Sequence, residues 1–254
     1  MGDDRRSVTA KVLALLSAFE GRANAITLTD LAAHAGVPLP TAHRLVGELV
    51  EWGALERDDQ GRYRVGLRLW EVTQSAGRQL RDAARPHLQD LYSLTRETAH
   101  LAIREGYEAL YIDRVYGSTR IPQASPVGGR LPLHATAVGK VLLAFEEEWV
   151  REAFLSQDLA APTRHTHVHP GRLADELQRI RAQGFATTHE EVRQGSASIA
   201  VPVALEPHPA AIGLVMSSAR AESMQRHLPA LRGVARRIEA AASHPQTTLI
   251  RPRP

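Results

Sequence analysis

Residues 28–50 carry the pattern that most restricts what this chain can fold into. Apolar side chains recur at helical spacing from Leu31, and Gly36 then ends that helix, because glycine takes a positive φ without strain. Pro40 suits the first turn of a following helix. That second helix has an apolar stripe formed by Ala42, Leu45, Val46 and Leu49. Two short amphipathic helices joined by a sharp turn predict a helix-turn-helix, whose second helix can enter the major groove of DNA.

The polar side of this second helix is the candidate surface for base recognition. When residues are placed at 100° steps, Arg44 and Gly47 point away from the apolar stripe, and Thr41, His43 and Glu48 flank them. Such side chains can reach base edges or phosphates of DNA. The alternative interpretation is that this face of the helix is only exposed to solvent. We therefore predict DNA contact for this face.

A basic hairpin is expected directly after the second helix. Residues 55–57 and 62–65 have strand character on either side of a turn at 58–61, which completes a winged helix-turn-helix. The first 80 residues contain 10 Lys and Arg against 10 Asp and Glu, so this half of the chain has no net basic footprint. Its arginines nevertheless cluster in the hairpin. The residues that we expect at DNA are Thr41, His43, Arg44, Glu48, Arg57, Arg62 and Arg64.

Composition places the chain among ordinary globular proteins. It has 254 residues, of which 43% are hydrophobic and 23% charged, so two domains with separate cores are expected. It contains no cysteine, which excludes disulfides and thiol chemistry and agrees with a cytoplasmic location. Residues 8–19 resemble a secretion signal, but Lys11 interrupts the apolar run and the spacing is helical. No run approaches the roughly 20 apolar residues of a membrane span, and we expect no membrane contact.

Beyond the hairpin, the pattern predicts a connecting helix and then an α+β domain. Residues 66–81 read as the connector, and Pro86 is expected to begin a further helix that runs to about Arg96. Strands are expected at 99–104, 109–115, 199–205 and 211–217, and helices at 136–145, 173–183 and 222–242. Hairpin-type strands interrupted by helices favour one central antiparallel sheet.

Three further groups of residues were weighed as chemical sites. His165, His167 and His169 would share one face of an extended segment and could bind a metal, although a solvated loop is the more common outcome. Gly139 and Lys140 do not complete a phosphate-binding loop, and we expect no cofactor. His134 could act as a base for Ser198 or Ser217, but no spacing selects that pair. The sequence therefore gives no sign of an enzyme.

The order of domains resembles that of the IclR family of bacterial transcription regulators. The resemblance is carried by residues 131–144, LPLHATAVGKVLLA, and by residues 184–203, in which Gly184, Glu190, Glu191 and Gly195 stand out. It spans about residues 8–243. It implies a C-terminal GAF-like domain that binds a small effector, and dimers or tetramers of the chain on a palindromic DNA operator.

The resemblance also implies an effector site between the sheet and the 131–144 segment, commonly for a small organic or aromatic acid. By position, the effector-binding residues are Leu131, Ala137, Val138, Thr188, Ser198, Val215 and Ser217. In the family the position of Thr188 is often acidic, that of Ser198 is often Cys and that of Val215 is often Ser. These departures predict a less charged pocket, suited to a larger aromatic or acyl acid whose carboxylate binds backbone N–H groups after Thr136.

The expected protein is thus an effector-controlled transcription regulator, either repressor or activator. The alternative is a sensor or enzyme whose helix-turn-helix mediates protein contacts. The expected domains are a winged helix-turn-helix at 1–66, a linker helix at 67–82, an effector domain at 83–246 and a disordered tail at 247–254.

Overall fold

The computed structural model describes residues 6–20, 25–73, 78–117, 125–206 and 209–243. The chain forms two compact units, Met1–Ala76 and Gly77–Pro254. The boundary falls inside the expected linker helix, of which residues 74–77 lie outside the described residues. The predicted tail at 247–254 also lies outside them, and the predicted domain bounds stay predictions.

The first unit is a winged helix-turn-helix, as the sequence predicts. Its elements are α1 (Val8–Ser17), α2 (Leu28–Ala35), α3 (Leu39–Trp52), β1 (Leu55–Arg57), β2 (Tyr63–Val65) and α4 (Leu67–Thr73). The strands β1 and β2 pair antiparallel to form the wing. Leu31 and Leu45 are fully buried where α2 and α3 pack together, so the apolar stripes of the two helices form the core of this unit.

Local signals fix both ends of α2. The Thr27 hydroxyl accepts a hydrogen bond from the Asp30 amide and donates one to the Asp30 carboxylate at 2.8 Å. At the other end Gly36 has a φ of 61°, and the amide of Val37 donates to the carbonyl of Ala32, five residues back. The helix therefore stops where the turn must begin, which gives α3 its own direction.

The second unit is built on one antiparallel sheet, which confirms the predicted α+β class. Its helices are α5 (Arg78–Thr95), α6 (Ala137–Ala144), α7 (Glu148–Leu155), α8 (Pro170–Gln183) and α9 (Leu228–Ser243). Its strands are β3 (Thr98–Glu105), β4 (Glu108–Val115), β5 (Arg130–Pro132), β6 (Ala186–His189), β7 (Ser196–Val203) and β8 (Ala210–Ser217). The strand order is β5-β4-β3-β8-β7-β6. Short 3₁₀ segments precede α6 and α9.

Helices cover both faces of this sheet. On one face α5 and α9 bury side chains such as Leu88, Leu231 and Ile238 against the sheet. On the other face α6 packs on small residues, among them Ala200 and Ala211, and α8 packs beyond it. The small side chains let α6 approach the strands closely, and this close approach positions the site described below.

The structure corrects two details of the predicted elements. Pro86 does not begin a helix but lies inside α5, where the burial of Ala84, Leu88 and Leu91 stabilises the helix despite one missing backbone hydrogen bond. The last helix begins at Leu228, because Ser218–His227 is a 3₁₀ segment. The strands β5 and β6, the helix α7 and the 3₁₀ segment Leu133–Ala135 were not predicted.

Candidate nucleic-acid interface and ligand cavity

The outer face of α3 presents the side chains that the sequence selected. His43, Arg44 and Glu48 are exposed, and Thr41 is half-buried. The Arg44 guanidinium donates to the Glu48 carboxylate at 2.6 Å, one helical turn away, and both side chains are 59% exposed. Because an ion pair in water is weak, a phosphate or a guanine edge can replace Glu48 as the partner of Arg44.

The wing holds its arginines against its own hairpin. Asp58 accepts hydrogen bonds from the backbone amide and the Nε of Arg62. The hydrogen bond from the backbone amide is the main reason that the pKa of Asp58 is lowered. Arg64 pairs with Glu56 at 2.7 Å. The Arg57 guanidinium lies over the ring of Tyr63, 5.7 Å from its centre. Each of the three wing arginines therefore has a partner on the hairpin, and the carboxylates of Glu56 and Asp58 offset part of their charge.

A cavity lies between the sheet and the start of α6. Six of the seven predicted effector-binding residues line it, namely Leu131, Ala137, Val138, Thr188, Ser198 and Val215. The volume of the cavity is about 40 Å³, counted as the space open to the centre of a water-sized sphere. By the same measure a single water molecule needs roughly 10–15 Å³. The cavity thus takes a group larger than a single water molecule.

Ser217 does not join the other six predicted residues. It is exposed at the end of β8, two residues beyond Val215, and is not among the residues that line the cavity. Sequence reasoning in turn missed several lining residues. They are His100, Tyr111, Ser125, Thr136, Val192, Ser196, Ala197, Ile199, Gly213 and Leu214. Most of them are ordinary strand residues, and only their pairing in the sheet brings them together.

Seven of the sixteen described lining residues have polar side chains, and these are uncharged at neutral pH. Thr188 and Ser198 face each other across β6 and β7, with their hydroxyl oxygens 2.5 Å apart. Burial raises the pKa of Tyr111, against a hydrogen bond with Thr136 that lowers it. Among the described lining residues there is no Asp, Glu, Lys or Arg. The predicted loss of charge from this pocket therefore agrees with the side chains that the structure places there.

His100 is the most deeply buried titratable group of the cavity. Its side chain is 1% exposed, and burial lowers its pKa to about 3, helped by the positive charge of Arg114. Its ring meets Tyr111 edge to face, with ring centres 5.0 Å apart. At neutral pH the imidazole is uncharged.

The start of α6 faces the same space. Thr136 caps the helix, since its hydroxyl accepts a hydrogen bond from the Gly139 amide at 3.0 Å. The next amides, of Ala137 and Val138, belong to the first turn, whose N–H groups have no partner within the helix. Both residues line the cavity, so the helix end offers N–H donors and a positive dipole end to an anion.

Behind the cavity, Lys140 forms a buried ionic network that the sequence did not reveal. The side chain is fully buried, and its ammonium donates to Glu176 at 2.6 Å and to both oxygens of Glu191 at 2.9 and 2.7 Å. Burial raises the pKa of Glu191, and the charge of Lys140 opposes that rise. The network joins α6 to α8 and to the segment after β6, whose residue Val192 lines the cavity.

The three histidines considered as a metal site have separate partners. His165 lies 3.6 Å from Glu190, His167 bonds Glu176 at 2.8 Å, and His169 caps α8. His167, Glu176 and Glu191 could together offer ligand atoms to a metal ion. The Lys140 ammonium already bonds both of these carboxylates, so this group already surrounds a cation.

The base–nucleophile pair considered in the sequence also has no support in the geometry. His134 Nε2 lies 2.8 Å from the Ala160 carbonyl oxygen, and the Ser198 hydroxyl bonds Thr188. Burial lowers the pKa of His134, against that hydrogen bond, which raises it. In the described part of the chain, no hydrogen bond joins His134 to Ser198 or Ser217.

Across the same residues, no helix is both long enough and apolar enough to cross a bilayer.

A helix-turn-helix unit followed by a ligand-binding α+β unit defines a DNA-binding transcriptional regulator. The chain matches the family model of the IclR helix-turn-helix domain over residues 8–59. It matches that of the bacterial transcriptional regulator IclR C-terminal domain over residues 73–240. The chain therefore belongs to the IclR family, as the resemblance predicted.

Individual relatives agree with this assignment. The HTH-type transcriptional regulator KipR of Bacillus subtilis is 28% identical, over 90% of this chain and 92% of its own length. The HTH-type transcriptional regulator XynR of Escherichia coli is 34% identical, over 76% and 78%. A solved IclR homologue of Microbacterium hydrocarbonoxydans, complexed with 4-hydroxybenzoate, is 32% identical over 93% of this chain and 99% of its own, with a TM-score of 0.88.

Proposed function

We propose that this regulator binds a small organic acid, most favourably an aromatic one, in the cavity at the start of α6, and that this binding controls its affinity for DNA. The observation that carries the proposal is an uncharged cavity lined by the first turn of α6. Backbone N–H groups stabilise the carboxylate, and the apolar walls accept the rest of the molecule.

The chemistry of the lining favours an aromatic acid over a very small one. Val138, Ile199 and Leu214 supply apolar surface, and no lysine or arginine is present among the described lining residues to pair with a compact, highly charged anion. The structurally similar homologue that binds 4-hydroxybenzoate supports the same class. An acid with one carboxylate and an apolar body suits both parts of the site, the N–H groups at the start of α6 and the apolar walls.

Calorimetry with benzoate, 4-hydroxybenzoate, pyruvate and glyoxylate tests this class. We expect binding of the aromatic acids and weak or no binding of the two smaller acids. Binding of the two- and three-carbon acids alone would refute the proposal. A matched variant is Gly213→Ala, whose added methyl would lie 2.9 Å from Val138 Cγ1 and should weaken binding of the aromatic acids.

DNA recognition is assigned to α3 and the wing. Thr41, His43 and Arg44 read the major groove, Glu48 orients Arg44, and the wing arginines Arg57, Arg62 and Arg64 contact phosphates. We expect Arg44→Ala to weaken operator binding about 10- to 100-fold, the value of one good base contact. Anisotropy with labelled duplexes tiled across the DNA flanking its own gene measures this. The control is Arg179→Ala, which removes an exposed arginine from α8.

The regulator acts in the cytoplasm as a homodimer or homotetramer on a palindromic operator, where binding of the effector controls transcription. Two copies reading two half-sites explain how one short helix can give sufficient specificity. Ligand binding then favours one conformation of the chain over another and shifts operator affinity, with no turnover of the ligand. Sedimentation of the chain with and without the duplex gives the stoichiometry. Conversion of the acid without any DNA binding would contradict this assignment.

A further inference from the structure

A groove beside the edge strand β6 contains a group of side chains suited to a metal ion. Its volume is about 490 Å³, counted as the space open to the centre of a water-sized sphere. The lining includes His167, Glu176 and Glu191, each of which can offer one ligand atom. These atoms all lie within 4.8 Å of one another. An imidazole nitrogen and carboxylate oxygens are ligands that Zn²⁺ accepts in proteins.

The two carboxylates of this group are only partly neutralised. Their side chains are 13% and 6% exposed, so water screens them poorly. The Lys140 ammonium bonds Glu176 and both oxygens of Glu191, and a single positive charge offsets only one of the two negative charges. Burial raises the pKa of Glu191 and the charge of Glu176 raises it further, although Lys140 opposes both. A second cation at this point would therefore remove an unfavourable negative charge.

The hydrogen bonds of the group leave room for that second cation. Glu176 accepts from Lys140 through Oε1 at 2.6 Å, and its Oε2 lies 2.8 Å from Nδ1 of His167. Two ligand atoms of a tetrahedral zinc ion, each about 2.1 Å from the metal, are roughly 3.4 Å apart. The His167 side chain is 51% exposed, so it can make the small movement that admits the ion. A neutral imidazole carries one proton, which resides on Nε2 when Nδ1 binds a metal.

We infer that His167, Glu176 and Glu191 bind a divalent transition-metal ion, for which Zn²⁺ is the best match to one nitrogen and two oxygen ligands. Lys140 stays on the buried side of the carboxylates, the ion binds on the side of the groove, and water completes its coordination. None of the three ligands lines the cavity at the start of α6, so this site is distinct from the proposed effector site.

The ion joins three parts of the chain that are distant in sequence. They are the segment before α8, α8 itself and the segment after β6. Val192 follows Glu191 directly and lines the effector cavity, so the metal supports one wall of that cavity. Of the three histidines that the sequence singled out, only His167 takes part.

Calorimetry of the intact, chelator-treated chain with zinc chloride tests the site. We expect one Zn²⁺ per chain and no competition from an equal concentration of Mg²⁺, which prefers oxygen ligands and keeps its water. His167→Ala removes the nitrogen ligand. It should weaken zinc binding by at least about 10-fold, since loss of a group that merely orients a ligand already costs roughly 10- to 100-fold. The matched control is His87→Ala, which removes a histidine 3.9 Å from a single carboxylate, that of Asp90, and should leave the affinity unchanged.

Lys140→Met provides a second test, because it removes a competing cation and keeps all three ligands. This variant should bind Zn²⁺ at least as tightly as the wild type, and the metal should restore part of its lost resistance to urea. If Lys140→Met does not fold, the absorption spectrum of Co²⁺ bound to the wild-type chain gives a readout that needs no change at Lys140. That spectrum should differ from the spectrum of Co²⁺ in water, and the difference should be lost in His167→Ala.

Three results would overturn the inference. The first is the absence of zinc binding to the wild-type chain. The second is equal zinc affinity in the wild type and in folded His167→Ala, which would place the metal at other histidines. The third is weaker zinc binding in folded Lys140→Met, which would show that the ion does not bind on the groove side of the carboxylates. None of these results bears on the proposed effector site or on DNA binding.

Discussion

The helices α3 and α6 differ in how much of their surface the protein buries. Of the 14 residues of α3, Ala42, Leu45 and Val46 are buried and most of the others face solvent. All eight residues of α6 are buried, because the sheet, α8 and the preceding 3₁₀ turn enclose it. An exposed helix face can meet a large partner such as DNA. A fully enclosed helix can meet only what fits at its end, which here is the cavity.

The two helices also differ in how they hold charge. Arg44 on α3 pairs with Glu48 in water, where the pair is easily exchanged for another partner. Lys140 on α6 is buried together with Glu176 and Glu191. Loss of one partner would leave a buried charge with neither a counter-ion nor water to stabilise it. Mutations at corresponding features of α3 and α6 should therefore have effects of very different size.

The largest effect is expected for Lys140→Met, which leaves Glu176 and Glu191 together without their cation. Breaking a buried ion pair on one side costs about 3–5 kcal/mol of folding free energy. The cost should depend on pH. Burial already raises the pKa of Glu191, and removal of Lys140 takes away a factor that lowers it. A raised native pKa stabilises the fold below the unfolded value and loses that effect as pH rises. Urea unfolding at several pH values should show the smallest deficit in acid and a growing deficit toward neutral pH.

Arg44→Met is the matched control for this prediction on the exposed helix. It also removes a cation that is paired with a carboxylate, but in water, and its effect on unfolding should be small at every pH. A deficit in Lys140→Met that shrinks as pH rises would show that the network is not ionised as described.

An intermediate effect is expected for Gly139→Ala inside α6. The added methyl would lie 2.5 Å from the Thr136 hydroxyl oxygen and would also clash with the Leu133 carbonyl. Overpacking of this kind costs about 1–3 kcal/mol. Because Thr136 caps the helix that faces the cavity, binding of the aromatic acid should weaken as well. Urea unfolding and calorimetry measure the two effects, and wild-type values for both would contradict the described packing.

The smallest effect on stability is expected for Gly47→Ala on α3, and it should have the opposite sign. An added methyl meets nothing within 4 Å, and alanine is better than glycine in a helix by up to about 1 kcal/mol. The same methyl lies on the face that we assign to the groove, so operator affinity should fall even as stability rises. A gain in stability with unchanged DNA affinity would argue that this part of α3 does not approach the bases.

The predicted features that the structure confirms depend on neighbours along the chain. The cap at Thr27, the end of α2 at Gly36 and the wing turn around Asp58 each involve contacts within about five residues. Pro86 shows where this reasoning fails, since packing of α5 against the sheet outweighs the local preference of proline. The position of the cavity was predicted from the family resemblance. Its low charge was predicted from the departures at Thr188, Ser198 and Val215.

By itself, the sequence determined the class of fold, the helix-turn-helix and the face of α3 that points outward, because helical periodicity and turn chemistry are local properties. Tertiary structure alone decided that Lys140 meets carboxylates 36 and 51 residues away, and that His100 lines the same cavity as the start of α6. No periodic pattern encodes such contacts, because strand order and register bring these residues together only when the antiparallel sheet forms.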